Sequence, residues 1–92
     1  MEDKNGIEII AEERRRQIEE EGFHPTEDVI LYRDDELAKA ASVYAAPESV
    51  PFNVWPWNKS WLKLSPQNRI KDLAKAGALI AAQIDVLLKL NK

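Results

Sequence analysis

The sequence predicts a small all-α domain, residues 1–92 forming one unit of three main helices with a long ordered loop before the last helix. Three observations carry that expectation. Apolar residues recur at helical spacing in three separate stretches, and cap and stop residues bound those stretches. The third is size: 92 residues with 45% hydrophobic positions suffice for one core and leave no room for a second.

The first helix is expected over about 6–21, where Ile7, Ile10, Ala11 and Ile18 share a face and Gly22 offers a stop. Arg14 lies on that same stripe. It is either an arginine whose stem packs while its head meets a carboxylate, or a ligand contact. A turn-rich link, Phe23 to Asp28, and a short apolar patch, Val29 to Tyr32, follow. The second helix is expected over 35–46, with Asp34 or Asp35 as N-cap, Leu37, Ala40, Ala41 and Tyr44 buried, and an end before Pro47. Its alanines permit a close neighbour, which puts it centrally in the packing.

Residues 47–64 carry Pro47, Pro51 and Pro56, all three tryptophans (Trp55, Trp57 and Trp61), and no helical period. A loop of this length in a compact domain is usually functional, and this much aromatic surface favours order. The tryptophans either cap the open end of the core or form a platform for a base or a partner. The third helix is expected over 66–90, with Ser65 as N-cap and Pro66 at its first position. Ile70, Leu73, Gly77, Ile80, Ile84 and Leu87 give one apolar stripe, and Ala76, Leu79, Val86 and Leu90 a second. A helix apolar on two sides needs two partners. The first two helices supply one, and a second copy of the chain the other, with Gly77, Ala78, Ala81 and Ala82 allowing close contact. A homo-oligomer through the C-terminal helix is therefore expected.

Composition narrows the function classes. The absence of cysteine removes disulfides, cysteine zinc sites and thiol catalysis, and suits a cytoplasmic protein. No basic leader and no run of about 18 apolar residues occurs, so neither export nor membrane insertion is expected. Residues 1–36 hold 13 acidic and 5 basic side chains, net −8, whereas residues 37–92 hold 3 and 8, net +5. The acidic first helix argues against general nucleic-acid binding, which needs a basic stripe. The single histidine, His24, has no partner for a metal site, the serines lack a nucleophile-elbow context, and three scattered glycines cannot make a phosphate loop. No catalytic residue, metal or cofactor is expected.

An anion site is easier to build. The first turn of the third helix presents backbone N–H groups at the positive end of its dipole, Arg69, Lys71 and Lys75 add charge, and the tryptophan loop leads into it. Arg14, Trp55, Trp57, Trp61, Arg69 and Lys75 are the candidate ligand contacts.

Four blocks in order extend the reading: Ala11 to Ile18 (AEERRRQI), Glu36 to Ala41 with Tyr44 and Ala45, Trp55-Pro56-Trp57 with Trp61, and Arg69 with Asp72 to Ile80. Over about residues 7–88 they resemble a family of small proteins of tailed bacteriophages and prophages. The resemblance implies a bacterial cytoplasm and little biochemistry. Its members often have a His- and Asp-rich stretch where this chain has Val29 to Tyr32, and an acid where it has Gln83, and both departures weaken a metal-dependent role. Three functions follow as expectations. The favoured one is a counter-defence protein that sequesters a phosphate-bearing nucleotide. The alternatives are a protein-binding inhibitor of a host factor, and a nucleotide pyrophosphohydrolase resembling the all-helical MazG type. For the last, Glu12, Glu13 and Glu36 are present, but Lys39 and Ala40 stand where a second acidic pair is needed.

Overall fold

The computed structural model describes residues 3–20 and 33–91, and it is all-α. Among the described residues are three helices, α1 (Gly6–Glu20), α2 (Glu36–Ala45) and α3 (Arg69–Leu90), the last two joined by a loop with two 3-10 turns, Phe52–Val54 and Lys59–Trp61. The link from Gly22 to Tyr32, with His24, lies outside the described residues. Among them no helix is long and apolar enough to cross a membrane.

α1 begins with a reciprocal cap. The Asn5 side chain accepts from the Glu8 N–H at 2.9 Å and the Glu8 carboxylate from the Asn5 N–H at 2.9 Å. That is a capping box, legible as Asn followed three residues later by Glu. The buried face of α1 differs from the expected stripe. Ile7 and Ala11 are exposed, while Arg14 and Gln17 are buried and Ile10 and Glu13 are half-buried. The helix is thus turned to put polar side chains inward.

α3 is the axis of the fold: α1 and α2 each pack along it and not on each other. Leu37, Ala40, Ala41 and Tyr44 of α2 are buried as expected, together with Val43, against Ala76, Leu79, Ala82 and Val86. Alanine faces on both helices let their backbones approach closely. Gly77 serves α1, because a Cβ there would lie 2.5 Å from the Ile10 side chain. Gly77, Ala78 and Ala82, expected at a contact with a second copy, are therefore taken up by the chain's own packing, as Ala78 and Ala82 are wholly buried within it.

α3 holds α2 by both ends. At the N-terminus Asp35 occupies the cap position at φ 67°, a left-handed conformation that Asp tolerates, and its side chain makes no cap bond. The capping acceptor is instead Gln83 of α3, whose Oε1 takes the Ala38 N–H at 3.0 Å. At the other end the Arg69 guanidinium donates to the carbonyls of Tyr44, at 3.3 Å, and Ala45.

The start of α3 also departs from expectation. Ser65 does not cap it: the Ser65 N–H donates to both Asp72 oxygens, at 2.9 and 3.1 Å, and its carbonyl accepts from the Asn68 N–H at 2.8 Å. Pro66 and Gln67 therefore lie in a turn, and the Asn68 side chain caps the helix by accepting from the Lys71 N–H at 3.2 Å. The buried Asp72 carboxylate holds Ser65 one turn before the helix.

Candidate functional site

The tryptophan loop, α1 and α3 enclose a cleft of about 550 Å³. Its aromatic wall is a chain of ring contacts. Trp55 is 7% exposed and its indole N–H donates to the Asn58 carbonyl at 3.0 Å. It meets Tyr44 edge-on at 5.7 Å and Trp57 edge-on at 5.3 Å, and Trp57 in turn lies 6.4 Å from Trp61. Burial falls along this series, so that Trp61 is 60% exposed. The innermost ring belongs to the core and the outermost offers a face to solvent; one aromatic cluster performs both uses that tryptophan has.

The polar wall comes from α1, whose inward-turned face brings Glu13, Arg16 and Gln17 to the cleft. Arg16 donates from Nε and Nη2 to the two Glu13 oxygens at 2.8 and 2.6 Å, and Gln17 Nε2 donates to Glu13 at 3.3 Å. Burial pushes the Glu13 carboxyl up, but the hydrogen bond and charge of Arg16, the bond from Gln17 and the charge of Lys75 outweigh it and hold the group below its ordinary value. Gln17 is 2% exposed, and its Oε1 has no hydrogen-bond partner among the described residues. An unmet acceptor of this kind costs about 1–3 kcal/mol.

Lys63 and Lys75 complete the rim. The Lys75 ammonium donates to the Lys63 carbonyl at 2.6 Å and stands 5.3 Å from the Tyr44 ring centre. Burial lowers its pKa, with Lys71 and Arg16 pulling the same way and Asp72 and Glu13 opposing. The Lys63 N–H donates to the Tyr44 hydroxyl at 2.9 Å, which ties the loop to α2.

Of the six candidates read from sequence, Trp55, Trp57, Trp61 and Lys75 line this one cleft. Arg14 and Arg69 lie elsewhere. Arg14 is buried with its head 3.4 Å from Asp85 of α3. Arg69 caps α2 beside a separate hollow of about 380 Å³ that also holds Glu48 and Asp72. The cleft residues that sequence reading did not name are Arg16, Gln17 and Lys63, and Glu13 entered there only as an acid of the hydrolase alternative. Arg16 and Gln17 sit in an unbroken polar run, and only the rotation of α1 about its axis, set by Ile10 meeting Gly77, reveals which of them turn inward. Among the described residues no group of three or more His, Asp or Glu could hold a metal ion. No family model, no curated protein and no solved structure matches the chain.

Proposed function

We propose that this chain is a bacteriophage-encoded binding protein that captures a phosphate-bearing nucleotide in the tryptophan cleft, in the manner of a counter-defence sponge acting in the bacterial cytoplasm. The observation that carries the reading is the convergence of the Trp57 and Trp61 rings with Arg16, Lys63 and Lys75 in one cleft. Its volume falls within the range of small-molecule sites. A base stacks on the exposed face of Trp61, and the three cations, against the single carboxylate of Glu13, take the phosphate.

The test is titration of the intrinsic tryptophan fluorescence with ATP, GMP and cyclic di-AMP, with native mass spectrometry of the protein from infected cells beside it. Saturable quenching is expected from at least one of them, with inorganic phosphate competing. Trp61→Ala should weaken binding by about 1–3 kcal/mol, roughly 5- to 150-fold, at unchanged Tm because the ring is exposed. Flat titrations at millimolar nucleotide and a native mass with no adduct overturn the reading. Release of pyrophosphate with Mg²⁺, abolished by Glu36→Ala, would replace it with hydrolysis.

A further inference from the structure

Lys63 of the loop and Lys75 of α3 do not take their places in the cleft independently. The Lys75 ammonium donates to the Lys63 carbonyl at 2.6 Å, the Lys63 N–H donates to the Tyr44 hydroxyl at 2.9 Å, and the Tyr44 ring centre lies 5.3 Å from the Lys75 ammonium. These three contacts close a circuit on one side chain, Tyr44, that is 6% exposed. Resting on the nucleotide reading above, we infer that Tyr44 positions the two lysines as the phosphate end of the cleft, and that this end takes the phosphomonoester dianion of a nucleotide with one base.

Charge selects the phosphate. Arg16 holds Glu13 through both carboxylate oxygens, so that pair is neutral, and Glu20, 3.9 Å from Arg16, is 67% exposed and screened by water. The positive charges of Lys63 and Lys75 are left for a ligand. The charges that reach Lys75 come in opposed pairs, Asp72 with Lys71 and Glu13 with Arg16, and burial, the largest influence, disfavours the ammonium. A bound anion restores it. A phosphomonoester, with a charge of about −1.5 to −2 at neutral pH, matches two lysines. A cyclic diester brings a single negative charge, and a triphosphate brings more than the pair can meet. Ammonium groups act as point charges, so charge count decides here more than shape.

The rings select the number of bases. Trp55 stands edge-on to Trp57, with 86° between their planes, and Trp57 and Trp61 are tilted 43° to one another. Neither pair forms a parallel slot, and Trp61, 60% exposed, offers one open face on which one base stacks. Tyr44 acts on the phosphate only through the lysines, which makes it a positioning residue.

Tryptophan-fluorescence titration of the full chain with the nucleoside, monophosphate, cyclic monophosphate and triphosphate of adenine and of guanine tests the inference. For at least one base the monophosphate should bind about tenfold or more tighter than the other three forms. Its affinity should rise from about pH 5 to about pH 7, as the phosphate loses its second proton near pH ~6, while that of the cyclic form stays level. Glu13, held below its ordinary 4.5, is already ionised over that interval, and loss of the Lys75 proton would act in the opposite sense. Tyr44→Phe keeps the ring and removes the acceptor for Lys63; it should weaken the monophosphate about 3- to 10-fold and leave the nucleoside unchanged. Lys75→Met should bring the monophosphate and the cyclic form within about twofold of each other. Circular dichroism checks that each variant is folded. A triphosphate or cyclic form that binds as tightly as the monophosphate, or a preference that survives Lys75→Met, overturns the inference and leaves nucleotide capture standing. Unchanged monophosphate binding in Tyr44→Phe, or equal losses for nucleoside and monophosphate, overturns the positioning role. Flat titrations for every form overturn both readings.

Discussion

Arg69→Ala separates two roles that one residue could play. In the structure its guanidinium donates to the carbonyls of Tyr44 and Ala45, the last turn of α2, where intrahelical partners are missing. A hydrogen bond from a charged donor contributes about 1.5–3 kcal/mol when sheltered. Arg69 is exposed, and both carbonyls can turn to water once it is gone, so about 1–2 kcal/mol for the two together is the expected loss. At about 4–8 °C per kcal/mol for a domain of this size, Tm should fall by about 4–16 °C. Thermal melts followed by circular dichroism measure it, at low and at high salt. Most of the fall should survive salt, because the acceptors are neutral carbonyls and only the helix-dipole part is screened. Nucleotide affinity of the folded variant should be unchanged, since Arg69 does not line the tryptophan cleft. An unaltered Tm with weakened nucleotide binding would refute the cap and restore the anion-binding role expected of a cation in the first turn of α3.

Two further substitutions probe the placement of α1. Gly77→Ala adds about 1 kcal/mol of helix propensity but drives a methyl to 2.5 and 2.8 Å from Ile10 Cδ1 and Cγ1; overpacking of about 1–3 kcal/mol should win, and an Ile10→Ala background should remove the loss. Additive melts in that double-mutant cycle would show that the two residues do not meet. Glu13→Gln tests the ionised cluster. Because the folded protein holds the Glu13 carboxyl below its ordinary 4.5, its contribution is complete above that value and is lost as pH falls through the lowered one. Urea titrations from neutral pH to about pH 3 should therefore show the wild-type advantage over Glu13→Gln shrinking in acid; a constant difference would contradict the assignment.

What was legible in the sequence was whatever depends on neighbours along the chain. The buried face of α2 follows from the spacing of Leu37, Ala40, Ala41 and Tyr44, and the gathering of Trp57 and Trp61 from their closeness in a proline-bounded loop. What was not legible depends on partners far away in sequence. Ser65 has every local mark of an N-cap, yet its N–H donates to the Asp72 carboxylate, and α3 starts at Arg69 with Asn68 as its cap. Asp35 stands where a cap belongs, while the bond is made by Gln83, 45 residues on from Ala38. Arg69 looks like an anion ligand until α2 ends against it. For α2 a hydrogen bond to a residue far along the chain stands in for a local cap of similar strength, and strength of about 1 kcal/mol leaves local propensity no margin with which to resist.

The conflict between local pattern and fold is greatest in α1, and that is informative about the site. Ile7 is left 80% exposed while Gln17, a residue that loses hydrogen bonds to water on burial, is enclosed with one amide oxygen that meets no donor among the described residues. Taken by themselves, an exposed Ile7 and an enclosed Gln17 each cost stability. The observed rotation is the one that seats Ile10 against Gly77, brings Arg14 to Asp85, and delivers Glu13, Arg16 and Gln17 to the tryptophan cleft. The first two contacts stabilise the rotation without need of a ligand; the third adds charge and an unsatisfied acceptor, which stability by itself does not require. Departures from the low-energy pattern concentrate where a sequence serves binding as well as folding. It is this cost on the polar face of α1, more than the aromatic wall, that supports the proposal of the cleft as a binding site and not only the rim of a core.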